Sequence, residues 1–337
     1  MYEKILLFFI AINIPIVLFY KQLVKFIDIN DTPDTVRKFQ KNIIPLFGGI
    51  LIVYNLIIFF IIDFFFNLNA YTYFFNTREY FVFFAGIFGC FFIGLYDDKY
   101  DLSANKKLFL NTVLIFLLIL IDESLLISKL QFSFNSIPIE LKNFSYPFTV
   151  LCVLLLINAL NMFDGINLQV GSYCILILIL LSIKELYVFV NLILILSLIL
   201  FLIYNYFNQA YLGDAGTQVL AFVLSYVLIK SHNTGNNIAP DYIFVILSFP
   251  GLDMFRLFLV RIIKGKNPFR ADRNHMHHLI SHKYSPLISF FLIQFVIIAN
   301  LLIYNFLDNK IFSIIFIILL YVLMVLIFKK KNFEKII

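Results

Sequence analysis

Long apolar runs separated by short polar turns extend along the chain. Eleven of these runs come close to the roughly 20 apolar residues that a helix needs to cross the hydrocarbon core of a membrane. A continuous apolar segment can satisfy its backbone hydrogen bonds in lipid only as a helix. The pattern therefore predicts an all-α polytopic membrane protein, one domain over residues 1–337, with about eleven transmembrane helices. They are expected at residues 4–20, 43–66, 80–96, 107–122, 147–163, 168–184, 186–206, 215–230, 242–263, 286–304 and 311–328.

The composition supports a membrane protein. Hydrophobic residues make up 62% of the chain and charged residues only 14%, whereas soluble domains carry about 25% charged residues. The three cysteines, Cys90, Cys152 and Cys174, lie inside apolar runs without a CxxC pair, so we interpret them as small buried residues. The first run lacks a basic leader and a small-residue cleavage site, so we interpret it as a membrane helix.

Basic residues are distributed unevenly between the two sides that eleven crossings would create. The loops after odd-numbered helices, with the C-terminal tail, hold seventeen lysines and arginines, and the other side holds seven. Because basic residues favour the cytoplasmic side, the N-terminus is expected outside and the C-terminus in the cytoplasm. The net charge of +6 comes largely from this asymmetry and gives no indication of nucleic-acid binding. The predicted cytoplasmic loops are 21–42, 97–106, 161–170, 207–215 and 264–285.

The longest outside loop, 123–146, contains two short alternating segments. These are Phe132-Ser133-Phe134 and Ile137-Pro138-Ile139-Glu140. Alternation of this kind is typical of strands, and it predicts a small hairpin.

Polar clusters fall at the predicted cytoplasmic turns, although the orientation was derived from basic residues alone. The clusters are Asp97-Asp98, then Asn158, Asn161 and Asp164, then Gly213-Asp214-Ala215-Gly216, and finally Asp272-Arg273-Asn274-His275-Met276-His277-His278. Adjacent acids at a helix end, or an Asp in a turn, are often only structural. The spacing of the second cluster, however, places its members on roughly one helix face, and polar residues in membrane segments mark functional sites.

The histidine cluster has two interpretations. Closely spaced histidines can bind zinc, but no cysteine accompanies them. Arg270 and Arg273, with Lys264 and Lys266, would repel a cation and attract phosphate. Asp and Asn oxygens suit Mg²⁺, which also binds substrate phosphates, and phosphoryl transfer depends mainly on positioning and charge neutralisation. The residues thus predict a phosphate-handling enzyme at the membrane surface, without naming its substrates.

In this order the motifs resemble the polyprenyl-phosphate N-acetylhexosamine-1-phosphate transferases, from about Asp31 to His278. The His-x-His-His form is similar to the branch that transfers GlcNAc-1-phosphate. The matching pieces are Asp31-Thr32-Pro33 with Arg37-Lys38, Pro45 with Gly48-Gly49, Gly94 through Asp97-Asp98 to Lys106-Lys107, Asn158 through Asn161 to Asp164-Gly165, Gly213-Asp214-Ala215-Gly216, and Asp272 to His278.

The resemblance implies a reaction and its partners. A sugar-1-phosphate, most often GlcNAc-1-phosphate, would pass from a UDP-sugar to undecaprenyl phosphate with release of UMP, starting the synthesis of cell-wall or O-antigen glycans. Mg²⁺, or Mn²⁺ in its place, would be the cofactor, and a homodimer is compatible with the family. The enzyme would lie in the bacterial inner (plasma) membrane, with its active site on the cytoplasmic face.

The resemblance also implies roles for individual residues. Asp97, Asp98, Asp214 and His278 would be catalytic, and Asp214 with Asn161 would bind the metal. Asp164 would shape the nucleotide pocket, Asn167 would meet the uracil, and His277 with His278 and Arg273 would bind the donor phosphates. The remaining substrate-binding candidates are Asn158, Lys106, Arg270 and His275.

Departures from the family pattern affect the donor more than the reaction. Asn167-Leu168 replaces a common Asp-Gly pair, Gln40 stands where many members have His, and Leu46-Phe47 replaces a frequent basic residue. Another UDP-N-acetylated sugar, or UDP-MurNAc-pentapeptide, is therefore an alternative donor. A transporter or lipid flippase and an inactive scaffold are the alternatives outside this reaction. A transporter would carry its polar groups near the midplane, whereas here they crowd one face.

Overall fold

The computed structural model describes residues 2–33, 42–66, 76–234, 238–266, 268 and 274–329. Thirteen helices form in these residues. They are α1 (Tyr2–Leu18), α2 (Tyr20–Ile27), α3 (Gly48–Phe66), α4 (Thr77–Tyr100), α5 (Ala104–Ile121), α6 (Ser145–Phe163), α7 (Gln169–Ile183), α8 (Val188–Tyr206), α9 (Gly213–Asn233), α10 (Pro240–Ile263), α11 (Met276–Ser281), α12 (Pro286–Phe306) and α13 (Lys310–Lys329). Two antiparallel pairs join β1 (Asn30–Asp31) to β2 (Ile44–Pro45) and β3 (Lys129–Leu130) to β4 (Ile139–Glu140).

Each of the eleven predicted apolar runs forms a helix, and the prediction of an all-α polytopic membrane protein is confirmed. Within the described ranges, eight helices are long and apolar enough to cross a membrane, or nine if the bent pair α1–α2 counts as one span. The helices α7 and α9 are not among these candidate spans. Helix α7 has only 15 residues, and α9 carries polar residues at both ends, among them Asp214 and Lys230.

Two segments predicted as loop contain helices. Within 21–42, α2 follows α1 after a bend of 70° and ends at Asp28, whose φ is 50°. Within 264–285, α11 forms because Met276, Leu279 and Ile280 share one face and are buried. Both segments contain basic residues, so neither belongs to the apolar runs that predict membrane helices.

A short hairpin forms within residues 123–146, but its first strand lies earlier than the alternation indicated. Residues Lys129–Leu130 pair with Ile139–Glu140. The backbone N–H of Ser133 donates to Asp241 Oδ1 at 2.9 Å, and the Ser133 hydroxyl also contacts that carboxylate. Ser133 is therefore held out of the strand by a long-range contact that the local pattern does not contain.

The chain is organised as two compact units, each built from two segments. The first contains Met1–Glu123 and Val170–Val227, and the second contains Ser124–Gln169 and Leu228–Ile337. In the first, α3 packs on α8 and α1, and α4 packs on α5. In the second, α10 is central and packs on α6, α12 and α13, while α11 packs on α12 and α13.

Helices α1 and α3 are joined by a pair of buried amides inside the apolar region. Asn13 Nδ2 donates to Asn55 Oδ1 at 2.6 Å, and Asn55 Nδ2 donates back to Asn13 Oδ1 at 3.2 Å. Each amide also donates to a backbone carbonyl of its own helix, Phe9 for Asn13 and Leu51 for Asn55. Because lipid offers no competing partner, a reciprocal pair of this kind fixes the register of two membrane helices.

Replacing Asn55 by leucine is expected to destabilise the first unit by about 1 kcal/mol, because Asn13 would lose its partner on α3. Thermal unfolding in detergent measures this loss. The double variant Asn13→Leu/Asn55→Leu should recover part of the stability, because neither amide then remains buried without the other. A single variant as stable as the unmodified protein would contradict a stabilising role for the pair.

Candidate functional site

The end of α4 lies against the start of α9 in the first unit. Their backbones approach so closely at Gly94 that a Cβ there would lie 2.5 Å from Ala215 Cα. Only glycine fits this contact. Asp97 and Asp98 follow one turn later on α4, so the contact delivers both carboxylates to the N-terminus of α9.

Asp98 accepts the first backbone amides of α9. The N–H of Asp214 donates to Asp98 Oδ1 at 2.7 Å, and the N–H of Ala215 donates to Asp98 Oδ2 at 3.0 Å. These amides have no acceptor within their own helix, and a carboxylate also complements the positive end of the helix dipole. Both oxygens of Asp98 are thus engaged in holding Asp214 in place.

Lys107, on the first turn of α5, lies between two carboxylates. Its Nζ is 2.5 Å from Asp97 Oδ2 and 2.8 Å from Asp214 Oδ2. Asp97 is also bound through Oδ1, which accepts the backbone N–H of Leu102 at 2.7 Å. One ammonium thus bridges two carboxyl groups that lie on neighbouring helices.

The lysine in this cluster is not the one assigned to substrate binding from the sequence. Lys106 is exposed to solvent, whereas Lys107 is partly buried and bridges α4 and α9. Successive helical residues point about 100° apart, so only one of the two lysines can face the carboxylates. The adjacent pair of lysines was visible in the sequence, but which of them faces inward depends on the packing of α5 against α4.

The polar residues at the end of α6 belong to the second unit. Asn158 turns its amide to its own helix, where Nδ2 donates to the Leu154 carbonyl at 2.7 Å. Asp164 is exposed and ends the helix, and its backbone N–H donates to the Leu160 carbonyl at 3.1 Å. Asn161 and Asn167 are partly exposed on either side of it. The end of α6 thus presents one carboxylate and two amides.

The turn after α6 lies beneath the histidines of α11. A Cβ on Gly165 would lie 1.9 Å from His277 Nε2, so glycine is needed for the imidazole to reach this position. The ring of His277 stacks on His275, with centroids 5.5 Å apart and planes 5° apart, and meets His278 at 4.2 Å. The structure thus places the Asp164-Gly165 turn next to the histidine segment.

His277 is buried, and neither of its ring nitrogens has a hydrogen-bond partner among the described residues. Burial, together with the neighbouring rings of His278 and His275, lowers the pKa of His277 well below its ordinary value. The ring is therefore neutral at pH 7. A neutral imidazole has one donor and one acceptor nitrogen, so His277 is suited to hydrogen-bond a ligand rather than to supply positive charge.

Several predicted assignments stay predictions. Arg270 and Arg273 lie outside the described residues. Asp97, Asp98 and Asp214 belong to the first unit, and Asn161, Asp164 and the histidines belong to the second, so Asp214 and Asn161 as joint metal ligands stay a prediction. Among the described residues, no three His, Cys, Asp or Glu side chains form a group that could hold a metal ion.

Comparison with known proteins agrees with the resemblance inferred from the motifs. The model of glycosyl transferase family 4 matches residues 80–232, which include Asp97, Asp98, Lys107, Asp164 and Asp214. The chain is 27% identical to the undecaprenyl-phosphate alpha-N-acetylglucosaminyl 1-phosphate transferase of Escherichia coli strain K12 over 274 residues, or 78% of this chain and 71% of that protein.

Two further relatives carry similar names. The Salmonella typhimurium protein of the same name as the Escherichia coli enzyme is 28% identical over 72% of this chain and 67% of its own length. In Bacillus subtilis strain 168, the "Probable undecaprenyl-phosphate N-acetylglucosaminyl 1-phosphate transferase" is 30% identical over 63% of this chain and 62% of its own. The family model and these relatives agree with one another, and residues 80–232 of this chain resemble glycosyl transferase family 4.

Proposed function

We propose that this protein transfers GlcNAc-1-phosphate from UDP-GlcNAc to undecaprenyl phosphate and releases UMP. The observation that carries the proposal is the cluster of Asp97, Asp214 and Lys107, which lies within the residues matched by the family model. The names of the relatives supply the acceptor and the sugar. Another UDP-N-acetylated sugar, or UDP-MurNAc-pentapeptide, is the alternative donor for the same reaction.

In the proposed reaction, a phosphate oxygen of the lipid attacks the phosphorus that carries the sugar, and the bond to UMP breaks. A phosphate monoester has its second pKa at about 6, so the nucleophile is already mostly ionised at pH 7. Deprotonation by a general base would therefore contribute little to the rate. Asp97 fits a positioning role, because one of its oxygens is bound by Lys107 and the other by the Leu102 amide.

The first unit offers a donor set that fits Mg²⁺, or Mn²⁺ in its place. Asp97 and Asp214 are hard oxygen ligands brought side by side, and Mg²⁺ binds through one or two carboxylates together with substrate phosphates. These two residues would hold the ion, with Asn161 as a further ligand. When bound, the ion supplies positive charge to the diphosphate. Lys107 adds a fixed positive charge beside the same carboxylates, and Asp98 holds the start of α9.

The second unit contributes the donor-binding residues in this proposal. Asp164 and Asn167 follow α6 and would contact the nucleotide. His277, as a neutral hydrogen-bonding ring over Gly165, would contact a phosphate oxygen. The remaining donor contacts are proposed for Asn158, Lys106, Arg270, Arg273, His275 and His278.

The proposed topology has eleven crossings, with the N-terminus outside and the active site on the cytoplasmic face of the bacterial plasma membrane. The excess of basic residues on the odd-numbered side supports this orientation. Eleven crossings require α7 and α9 to span although they are short or polar. Helix α9 can do so because polar residues near its two ends, such as Gln218 and Lys230, are buried in protein and need not face lipid. A homodimer is compatible with this arrangement.

Purified protein with undecaprenyl phosphate, Mg²⁺ and radiolabelled UDP-GlcNAc is expected to move label into the organic phase and release UMP. The Asp214→Asn variant and chelation should each abolish transfer, because both remove the proposed ion from the carboxylates. Label transfer only from another UDP-sugar would change the donor. No transfer from any UDP-sugar would reject the reaction.

Lys107→Met is expected to lower kcat/KM by at least about a hundredfold, because a fixed charge beside the reacting phosphates is lost. Lys99→Met is the matched control. It removes an exposed lysine at the end of α4 and should keep activity within about twofold, since exposed charges contribute little. Steady-state rates for both variants measure the difference, and equal losses would argue against a special role for Lys107.

Asp97→Asn is expected to lose activity by the same factor at about pH 7 and about pH 9, because the lipid phosphate is ionised at both values. Initial rates of the variant and the unmodified protein across this range provide the test. If Asp97 were the base, hydroxide would replace it increasingly as the pH rises. A deficit that shrinks strongly at the higher pH would therefore assign Asp97 as the base.

A further inference from the structure

A buried polar network contacts the start of α11. Its residues follow, in the sequence, the range 80–232 that the family model matches. Asp253 of α10 is its centre and is only 3% exposed. Nδ1 of His275 lies 2.9 Å from Asp253 Oδ2. On the other side, a guanidinium N–H of Arg256 donates to Oδ1 at 2.8 Å, and the Tyr321 hydroxyl of α13 donates to the same oxygen at 2.7 Å.

The network holds the backbone on both sides of His275. The N–H of Met276 donates to the two oxygens of Asp253 at 3.2 and 3.3 Å. The guanidinium of Arg256 donates to the carbonyl of Asn274 at 2.6 Å. The ring of His275, the carbonyl before it and the amide after it are therefore all fixed by two side chains of α10.

Arg256 and Tyr321 stabilise each other as well as the carboxylate. Arg256 Nε donates to the Tyr321 hydroxyl oxygen at 2.9 Å, and that hydroxyl donates to Asp253. Each of these donors faces an acceptor, and a satisfied buried network of this kind holds its members in a single arrangement. Helix α13 thus takes part in orienting the histidine segment.

The carboxylate also determines which nitrogen of His275 carries a proton. A carboxylate paired with an arginine can only accept hydrogen bonds, so Nδ1 of His275 must be protonated. In a neutral imidazole, Nε2 is then the acceptor. We propose that Asp253 is a positioning residue that holds His275 with its proton on Nδ1 and its Nε2 edge turned to the donor substrate. The effect on transfer rests on the proposed function.

Asp253→Asn makes a sharp test, because the network leaves the new amide one favourable orientation. Arg256 can only donate, so the amide oxygen should face Arg256 and Tyr321. The amide NH₂ then faces His275, which must accept at Nδ1 and carry its proton on Nε2. The variant is therefore expected to switch the tautomer of His275, whereas Asp253→Glu, which keeps a carboxylate, should preserve it.

The first readout is the ¹⁵N NMR spectrum of the full-length protein in lipid nanodiscs with ¹⁵N-labelled histidine. The His275 signal is assigned with a His275→Gln variant. The proton is expected on Nδ1 in the unmodified protein and on Nε2 in Asp253→Asn. A proton that stays on Nδ1 in Asp253→Asn would overturn the proposal. This readout does not depend on any activity, so it tests the positioning role even if the proposed reaction fails.

Asp241→Asn is the matched control. Asp241 also lies on α10, is 1% exposed, and accepts from a serine and from the hydroxyl of Tyr304. Because it contacts Ser133 of the β3–β4 hairpin rather than α11, its variant should leave the His275 spectrum unchanged. An identical tautomer change in both variants would indicate a general loss of packing and would overturn the proposal.

The second readout is kinetic. Asp253→Asn is expected to lower kcat/KM for the UDP-sugar about ten- to a hundredfold, as loss of a partner that orients a ligating group does, with KM for the lipid phosphate unchanged. If this variant does not fold, Tyr321→Phe replaces it, with an expected loss of about two- to tenfold, the value of one hydrogen bond. Tyr321→Phe with unchanged kinetics and an unchanged His275 spectrum would overturn the proposal. Absence of transfer in the unmodified protein would reject the proposed function alone.

Discussion

The ion pairs of Lys107 with Asp97 and Asp214 are the interaction on which the first-unit site depends. Two carboxylates on neighbouring helices repel each other strongly where water is scarce, and the ammonium between them offsets that repulsion. The approach of α4 to α9 at Gly94 makes the arrangement possible, and Asp98 stabilises it by accepting the first amides of α9. In the proposed function, the carboxyl groups of Asp97 and Asp214 would hold the divalent cation.

In the second unit, the polar side chains differ in whether the protein supplies their hydrogen-bond partners. His275 is held by Asp253 through its ring and the amide that follows it, and by Arg256 through the carbonyl that precedes it. The ring nitrogens of His277, by contrast, have no partner among the described residues. One histidine is therefore fixed by the protein, and its neighbour keeps its hydrogen-bonding capacity for a ligand. Gly165 permits this, because any side chain there would displace the imidazole of His277. The segment thus places closely packed imidazole rings beside an exposed carboxylate.

Other polar residues in the apolar helices serve the fold. The amides of Asn13 and Asn55 satisfy each other across α1 and α3, and Asn300 of α12 donates to Ser248 of α10. These residues and the site residues look alike in the sequence, since all are polar positions in apolar surroundings. The difference lies in the hydrogen-bond partner. The residues that serve the fold are paired with neutral groups of the protein, whereas the carboxyl groups of the site are paired with the charged Lys107.

The sequence by itself determined the helices and the resemblance to a transferase family. An apolar segment has one stable backbone in lipid, so the eleven runs predicted eleven helices, and the ordered motifs resemble those of the transferases. Tertiary structure alone decided that Lys107 rather than Lys106 meets the carboxylates, that Asp98 caps α9, and that Ser133 leaves the hairpin strand for Asp241. It also revealed Asp253, which lies 22 positions from His275. The physical reason is that backbone preference in lipid is local, whereas the partner of a buried charge is chosen by helices that are distant in sequence and meet only in the folded protein.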